Sequence, residues 1–297
     1  MTDVLLKVSR DVILKVVFGL ESADPRRERL GVALADLLAA TGTTVQSTRA
    51  AGARAALDAV LREEFTRRRA APDPEAGDVL GMLLDASDSA GARSDEELRD
   101  QLVTLLMAGH ETTATSLAWA LVELGARPEV QSRLRAEIAT AGRQADPIDL
   151  ASLPYLDAVC KEVLRLRPVV PAVARWVASP VSIDGWTLPA GAHAAACIYL
   201  THRWTEVYPE PLAFRPERFL DHEPSPWEFA PFGGGSRRCI GMAFAMYEMK
   251  VVLATILATV DFEPDNRRPW TAVRHSVCVA PSEQARMTLR PRQSEEE

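Results

Sequence analysis

Apolar residues recur at helical spacing from the first turn of the chain. Val4, Leu5, Val8, Val12, Ile13, Val16, Val17 and Leu20 fall on one face of a helix predicted over 4–20. Two further helices are predicted over 25–40 and 46–69. The second ends in Arg67-Arg68-Arg69, where positive charge suits the negative pole of a helix dipole. The stretch from Arg69 to Gly77, with Pro72 and Pro74, reads as a linker before a short helix over 77–87. Ser94-Asp95-Glu96-Glu97 has the form of a capping box, in which a hydroxyl and a carboxylate satisfy orphan amides reciprocally. It opens a long helix to about Arg127. Pro128 closes that helix and suits the first turn of the next, over 128–141. Another helix is predicted over 154–167, ending at Pro168.

From 171 to 200 the pattern changes to short strands punctuated by Pro180, Asp184-Gly185 and Pro189-Ala190-Gly191. A proline-rich irregular region over 204–235 follows, then an apolar helix over 241–259 and strands near 275–280 and 286–290. The fold class is therefore mainly α with a minor β portion. No linker clearly divides the chain, so 1–297 reads as one domain, with a frayed tail at 293–297.

Composition narrows this picture only a little. Of 297 residues, 47% are hydrophobic and 25% charged, as in ordinary globular proteins. The net charge of −7 argues against nucleic acid, whose binders carry a basic surplus. Four cysteines without a CxxC pair make a paired-cysteine zinc site improbable. Asp3, Lys7, Arg10, Asp11 and Lys15 interrupt any secretory pattern, so the thiols are expected reduced and the protein cytoplasmic. No stretch of about 18 uncharged apolar residues is present, with 185–201 the nearest case, so no membrane is expected.

The densest chemical signal is Phe232-Gly233-Gly234-Gly235-Ser236-Arg237-Arg238-Cys239-Ile240-Gly241, running straight into an apolar helix. Glycines admit a flat ligand close to the backbone. A cysteine near a helix N-terminus, beside Arg237 and Arg238, has its thiolate favoured by positive charge. A phosphate-cradling loop would require GxxxxGK[ST], which this segment lacks.

Three other groupings precede it in the chain. Ala108-Gly109-His110-Glu111-Thr112-Thr113 sets two small residues beside an acid and an alcohol. Such a threonine bonds back to a carbonyl and can bend its helix, and an acid with an alcohol can relay protons. By itself the grouping equally describes a simple kink. Glu162-Val163-Leu164-Arg165 is an i,i+3 ion pair, which on a solvated face contributes a few tenths of a kcal/mol. Val159, Val163, Leu164 and Leu166 around it make burial plausible. Arg175 follows Pro171 and offers a guanidinium suited to carboxylates, or simply a surface charge.

Phe232, Gly235, Arg237, Cys239 and Gly241 fit the FxxGxRxCxG signature of cytochromes P450 without a mismatch, and the other groupings stand in that family's order. The chain thus resembles a soluble bacterial cytochrome P450. The resemblance implies haem b with iron ligated by the thiolate of Cys239, the ligation the family is known for. It implies propionate contacts from Arg237 and Arg175, with Phe232, Gly235 and Gly241 shaping the loop. Glu111 and Thr112 would serve oxygen activation. Glu162 and Arg165 would join Arg218, nominated by Pro216-Glu217-Arg218-Phe219, in a structural triad. The implied reaction inserts one atom of O2 into an apolar small molecule facing Val169, Val170, Ala172 and Val173. Its electrons come from NAD(P)H through a ferredoxin or similar donor, docked on Arg237, Arg238 and Lys250. The family's N-terminal third, which carries sheet strands and the roof of the distal pocket, is expected to be missing. The alternative is therefore a truncated, weakly haem-binding product without turnover.

Overall fold

The computed structural model describes residues 1–41, 47–73, 77–90, 94–142, 145–265, 270–275, 277–282 and 285–292. Linker residues 74–76 and the tail 293–297 lie outside the described residues. The chain divides into two compact units, Thr2–Ala114 and Thr115–Glu297 together with Met1.

In the first unit α1 (Thr2–Phe18) buries Leu5, Ser9, Ile13, Leu14, Val17 and Phe18, a face rotated from the predicted stripe: Leu5, Ile13 and Val17 are shared, whereas Val4 is exposed and Val8, Val12 and Val16 are half-buried. Next come α2 (Pro25–Thr41), α3 (Ser47–Ala70), α4 (Val79–Ala90) and the start of α5 (Asp95–Gly125). Leu30, Leu34, Leu57, Leu61 and Phe65 bring α2 and α3 together. Each such side chain contributes roughly 1.5–3 kcal/mol by leaving water. The capping box forms as expected: Glu97 N donates to Ser94 Oγ at 3.2 Å, and Ser94 N donates to Glu97 Oε2 at 3.0 Å.

The arginine run at the end of α3 does more than complement a dipole. Arg68 is buried, where it pairs with Asp78 and donates to Phe18 O at 2.9 Å, closing α1 onto α3. Gly19 makes this possible. It ends α1 at φ +68°, and a Cβ there would sit 2.7 Å from Asp78 Oδ2.

In the second unit the rest of α5 is followed by α6 (Pro128–Ala141), a short α7 (Pro147–Ala151) and α8 (Pro154–Leu166). Four strands follow: β1 (Val173–Trp176), β2 (Val181–Ile183), β3 (Trp186–Leu188) and β4 (His193–Ala196). β1 pairs antiparallel with β4, placing Arg175 opposite Ala194. β2 pairs with β3 through the two-residue Asp184-Gly185 turn. Short helices α9 (Ile198–Thr201) and α10 (Arg218–Asp221) interrupt the proline-rich region before α11 (Met242–Thr259). The chain closes with β5 (Val260–Pro264), β6 (Ala272–His275), β7 (Cys278–Pro281) and β8 (Met287–Pro291), paired β5–β8 and β6–β7. The sequence pattern misses α7, α9, α10, β5 and β6, all too short to show a period.

Residues 113–124 of α5 are buried on every side, including Trp119, whose Nε1 donates to Val279 O at 2.8 Å. α11, not 185–201, is the segment long and apolar enough by composition to cross a membrane among the described residues. It nevertheless carries Glu248 and Lys250 and buries Met249, Leu253 and Leu257.

Candidate active site

The second unit builds its site from α8 outward. Leu153 precedes α8 without a capping side chain. Glu137 of α6 instead accepts from Tyr155 N at 2.8 Å and Leu156 N at 2.9 Å, satisfying the helix's orphan amides with a carboxylate. So anchored, α8 turns Glu162 and Arg165 fully inward, each 0% exposed. The solvated-face reading of this pair therefore fails. Arg165 Nε donates to Glu162 Oε2 at 2.6 Å and Nη2 to Oε1 at 2.8 Å. Its remaining donors reach three loop carbonyls: His202 O at 2.7 Å, Pro211 O at 2.8 Å and Ala213 O at 3.1 Å. Glu162 Oε1 also accepts from Arg215 N at 2.7 Å and Arg218 Nε at 3.3 Å. Glu162, Arg165 and Arg218 are thus brought together. Tyr208 lies beneath both guanidiniums, its hydroxyl pushed up to about 12 by burial and donating to Glu228 O at 3.0 Å.

His202 belongs to the same assembly, and the sequence reading overlooked it. Its Nδ1–H donates to Arg165 O at 3.1 Å, while Nε2 accepts from Ala230 N at 3.0 Å. One neutral ring thereby links α8 to the residue two before Phe232. A lone histidine beside Arg203 and Trp204 gives no local sign of this, because both partners are distant backbone atoms. Burial pushes the imidazole down to about 4, against an ordinary value of 6.5. Above pH 6.5 the ring is neutral folded or unfolded, so its titration makes no pH-dependent contribution to stability there. As pH falls from 6.5 to about 4, only the unfolded chain takes up the proton. Stability therefore drops by about 3 kcal/mol over that window. Urea midpoints measured across it should fall more steeply for the native chain than for His202→Gln. Equal slopes would refute the assignment.

The cysteine loop is closed by its own backbone. Cys239 N donates to Phe232 O at 2.9 Å, and Arg238 N to Gly235 O at 3.1 Å across a 3-10 turn, Gly235–Arg237. Gly235 holds φ +66°, a conformation that side-chain-bearing residues rarely adopt. Among the described residues, no atom beyond the adjoining residues lies within 4 Å of where a Cβ would stand at Gly233, Gly234, Gly235 or Gly241. Cys239 sits two residues before Gly241, the N-cap of α11, and is an exposed free thiol. Cys160 and Cys278 are buried, Cys197 is half-buried, and burial pushes the Cys160 thiol up to about 12. Among the described residues Cys239 is thus the one exposed cysteine.

Arg237 is exposed, as is Arg175, whose Nη1 donates only to the neighbouring Ala174 O, at 2.9 Å. Lys250 does not join a free basic patch, because its ammonium pairs with Asp157 at 3.0 Å. Arg238 is exposed, its Nη2 3.0 Å from Met242 Sδ. Of the expected pocket residues, Val169 is buried in the core, with its carbonyl taken by Val279 N at 2.8 Å. Val170 and Val173 are half-buried and Ala172 is exposed.

In the first unit, Thr112 Oγ1 donates back to Ala108 O at 2.7 Å, as predicted for the alcohol. The helix continues through this point without a break. Glu111 and Thr112 are half-buried, whereas Thr113 is buried.

The family profile described as Cytochrome P450 matches residues 1–289. The chain belongs to the cytochrome P450 family. Cytochrome P450 137 of Mycobacterium tuberculosis is 37% identical, the match covering 98% of this chain and 62% of that protein. Cytochrome P450 135B1 of the same species is 43% identical, covering 78% of this chain and 49% of that one. The chain therefore spans 49% and 62% of these relatives' lengths, less than two thirds of either. Two solved structures superpose at TM-score 0.85 over 98% of this chain and 68% of theirs. One is the cytochrome P450 CYP102L1, 26% identical; the other is retinoic acid-bound cyanobacterial CYP120A1, 30% identical.

Cytochromes P450 work through a haem iron with an axial cysteine thiolate. The donor set here fits that group: an exposed free thiol, a loop whose glycines leave its surface bare, and exposed guanidiniums at Arg237 and Arg175 suited to carboxylates.

Proposed function

We propose that this chain is the haem-binding part of a monooxygenase that inserts one atom of O2 into an apolar small molecule. Electrons come from NAD(P)H through a separate ferredoxin-like donor. Residues 1–297 act as one domain in this reading. The observation that carries it is Cys239: the one exposed thiol among the described residues, held inside an unbroken match to the family's haem signature. Haem b supplies dioxygen binding and reduction when bound.

The chain's own residues do the rest. Cys239 offers the thiolate, and Arg237 and Arg175 take the two carboxylates. Phe232, Gly235 and Gly241 shape the loop. Glu162, Arg165 and Arg218, with His202, fix the segment that leads into it. Thr112 would hold a hydroxyl proton and Glu111 a carboxyl, the pair that would supply protons for the oxygen chemistry of the bound haem.

The test is the absorption spectrum of the purified chain, oxidised and then reduced under carbon monoxide. A red-shifted Soret band is expected; a haem-free chain or an unshifted band overturns the reading. In haem-loaded protein fed by a ferredoxin system, Thr112→Ala should keep that band. With no substrate added, oxygen consumption should move from four-electron reduction to water toward two-electron release of hydrogen peroxide. Thr113→Ala is the control, since one helical step turns a side chain about 100° away.

A further inference from the structure

Residue 110 sits immediately ahead of the two groups assigned to proton transfer. His110 is 7% exposed, and its Nε2 lies 3.0 Å from Leu6 O on α1. A carbonyl only accepts, so Nε2 carries the proton and Nδ1 the lone pair. Nδ1 is buried with no hydrogen-bond partner among the described residues, which suits a neutral ring and not a cation. Burial lowers the affinity of this ring for a second proton; the Leu6 bond opposes that, the Arg10 charge adds to it, and Glu111 opposes it.

Two neighbouring contacts fall on the same face of α1. Ser9 Oγ donates to Gly109 O at 3.4 Å, and a Cβ on Gly109 would stand 3.0 Å from Ile13 Cδ1. Leu6, Ser9 and Ile13 are spaced by three and four residues, so they form one stripe. Each residue of a helix turns about 100° from the last. A ring pinned at residue 110 therefore fixes the azimuth of residues 111 and 112. The bare Gly109 lets α1 approach closely enough for the pin to reach.

We infer that His110 is a positioning residue for oxygen activation, its Nε2–H bond to Leu6 O locking the rotation of α5 that presents the Glu111 carboxyl and the Thr112 hydroxyl. The inference rests on the proton-transfer roles proposed above for those two residues.

The experiment compares His110→Leu, which removes the donor, with His110→Gln, whose side-chain amide restores one, in the haem-loaded chain with a ferredoxin system and no added substrate. Hydrogen exchange of the amides over 108–113 should rise about tenfold in His110→Leu, as expected for loss of one buried hydrogen bond. Oxygen consumption should shift from water toward hydrogen peroxide with the reduced carbon monoxide spectrum unchanged. Gln should return both readouts to near the native values. If Thr112→Ala releases peroxide while His110→Leu does not, the positioning role is wrong and the proton-transfer reading stands. Failure of Gln to rescue, or faster exchange without a change in oxygen use, likewise overturns the role. If Thr112→Ala itself has no effect, the proton-transfer reading fails and takes this role with it.

Discussion

Replacing Cys239 by alanine is expected to abolish the red-shifted Soret band of the reduced carbon monoxide complex, while leaving the polypeptide folded. The side chain is exposed, so little packing is expected to be lost with it. Exposed substitutions of this kind stay within about 0.5 kcal/mol of the parent. The loss therefore falls on the iron ligand alone. Cys160→Ala, Cys197→Ala and Cys278→Ala should keep the band, because two of these thiols are buried and the third is half-buried. Far-ultraviolet circular dichroism alongside the spectrum separates loss of ligand from loss of fold. A band that persists in Cys239→Ala would move the ligand elsewhere.

The second large effect lies in the interior, at Glu162. In Glu162→Gln the shape is kept and the charge removed, leaving Arg165 at 0% exposure without its carboxylate and Arg218 with one partner fewer. The new NH2 also confronts N–H groups that now point at Oε1 and Oε2. Stripping one partner from a buried ion pair costs about 3–5 kcal/mol. Typical net stabilities are about 5–15 kcal/mol, so the variant should unfold at much lower urea, or fail to accumulate. Arg165→Lys should approach the same loss, since one ammonium cannot reach both carboxylate oxygens and three separate carbonyls. A midpoint within error of the native one would show that the triad is dispensable for folding.

What could be read from the sequence was chemistry compressed into a few consecutive residues. Ser94 to Glu97 is one turn of chain, and its reciprocal bonds follow from that spacing. Glu162 and Arg165 likewise sit one turn apart, and apolar neighbours announced their burial. The loop from Phe232 to Gly241 closes on itself. What escaped was chemistry whose partners lie far along the chain. His202 bonds to backbone atoms 37 and 28 residues away. Lys250 looked like part of a docking surface until Asp157, 93 residues distant, proved to hold it. Val169 O accepts from Val279 N on β7, 110 residues along the chain. Gly109 reads only as a small residue beside an acid and an alcohol, yet its bare face admits Ile13 from α1.

One arrangement has a dynamic consequence. From 203 to 217 the backbone has no helix or strand ladder of its own, yet the carbonyls of Pro211 and Ala213 end on Arg165, as does that of His202 just before it. The amide of Arg215 ends on Glu162. Such a stretch would ordinarily open by itself many times before the protein unfolds. Here it cannot loosen without breaking charged bonds in the interior of α8, so the helix and the irregular segment form one cooperative block. The approach to the cysteine loop is a coil in outline, yet its amides are expected to exchange about as slowly as those of the core helix that holds it.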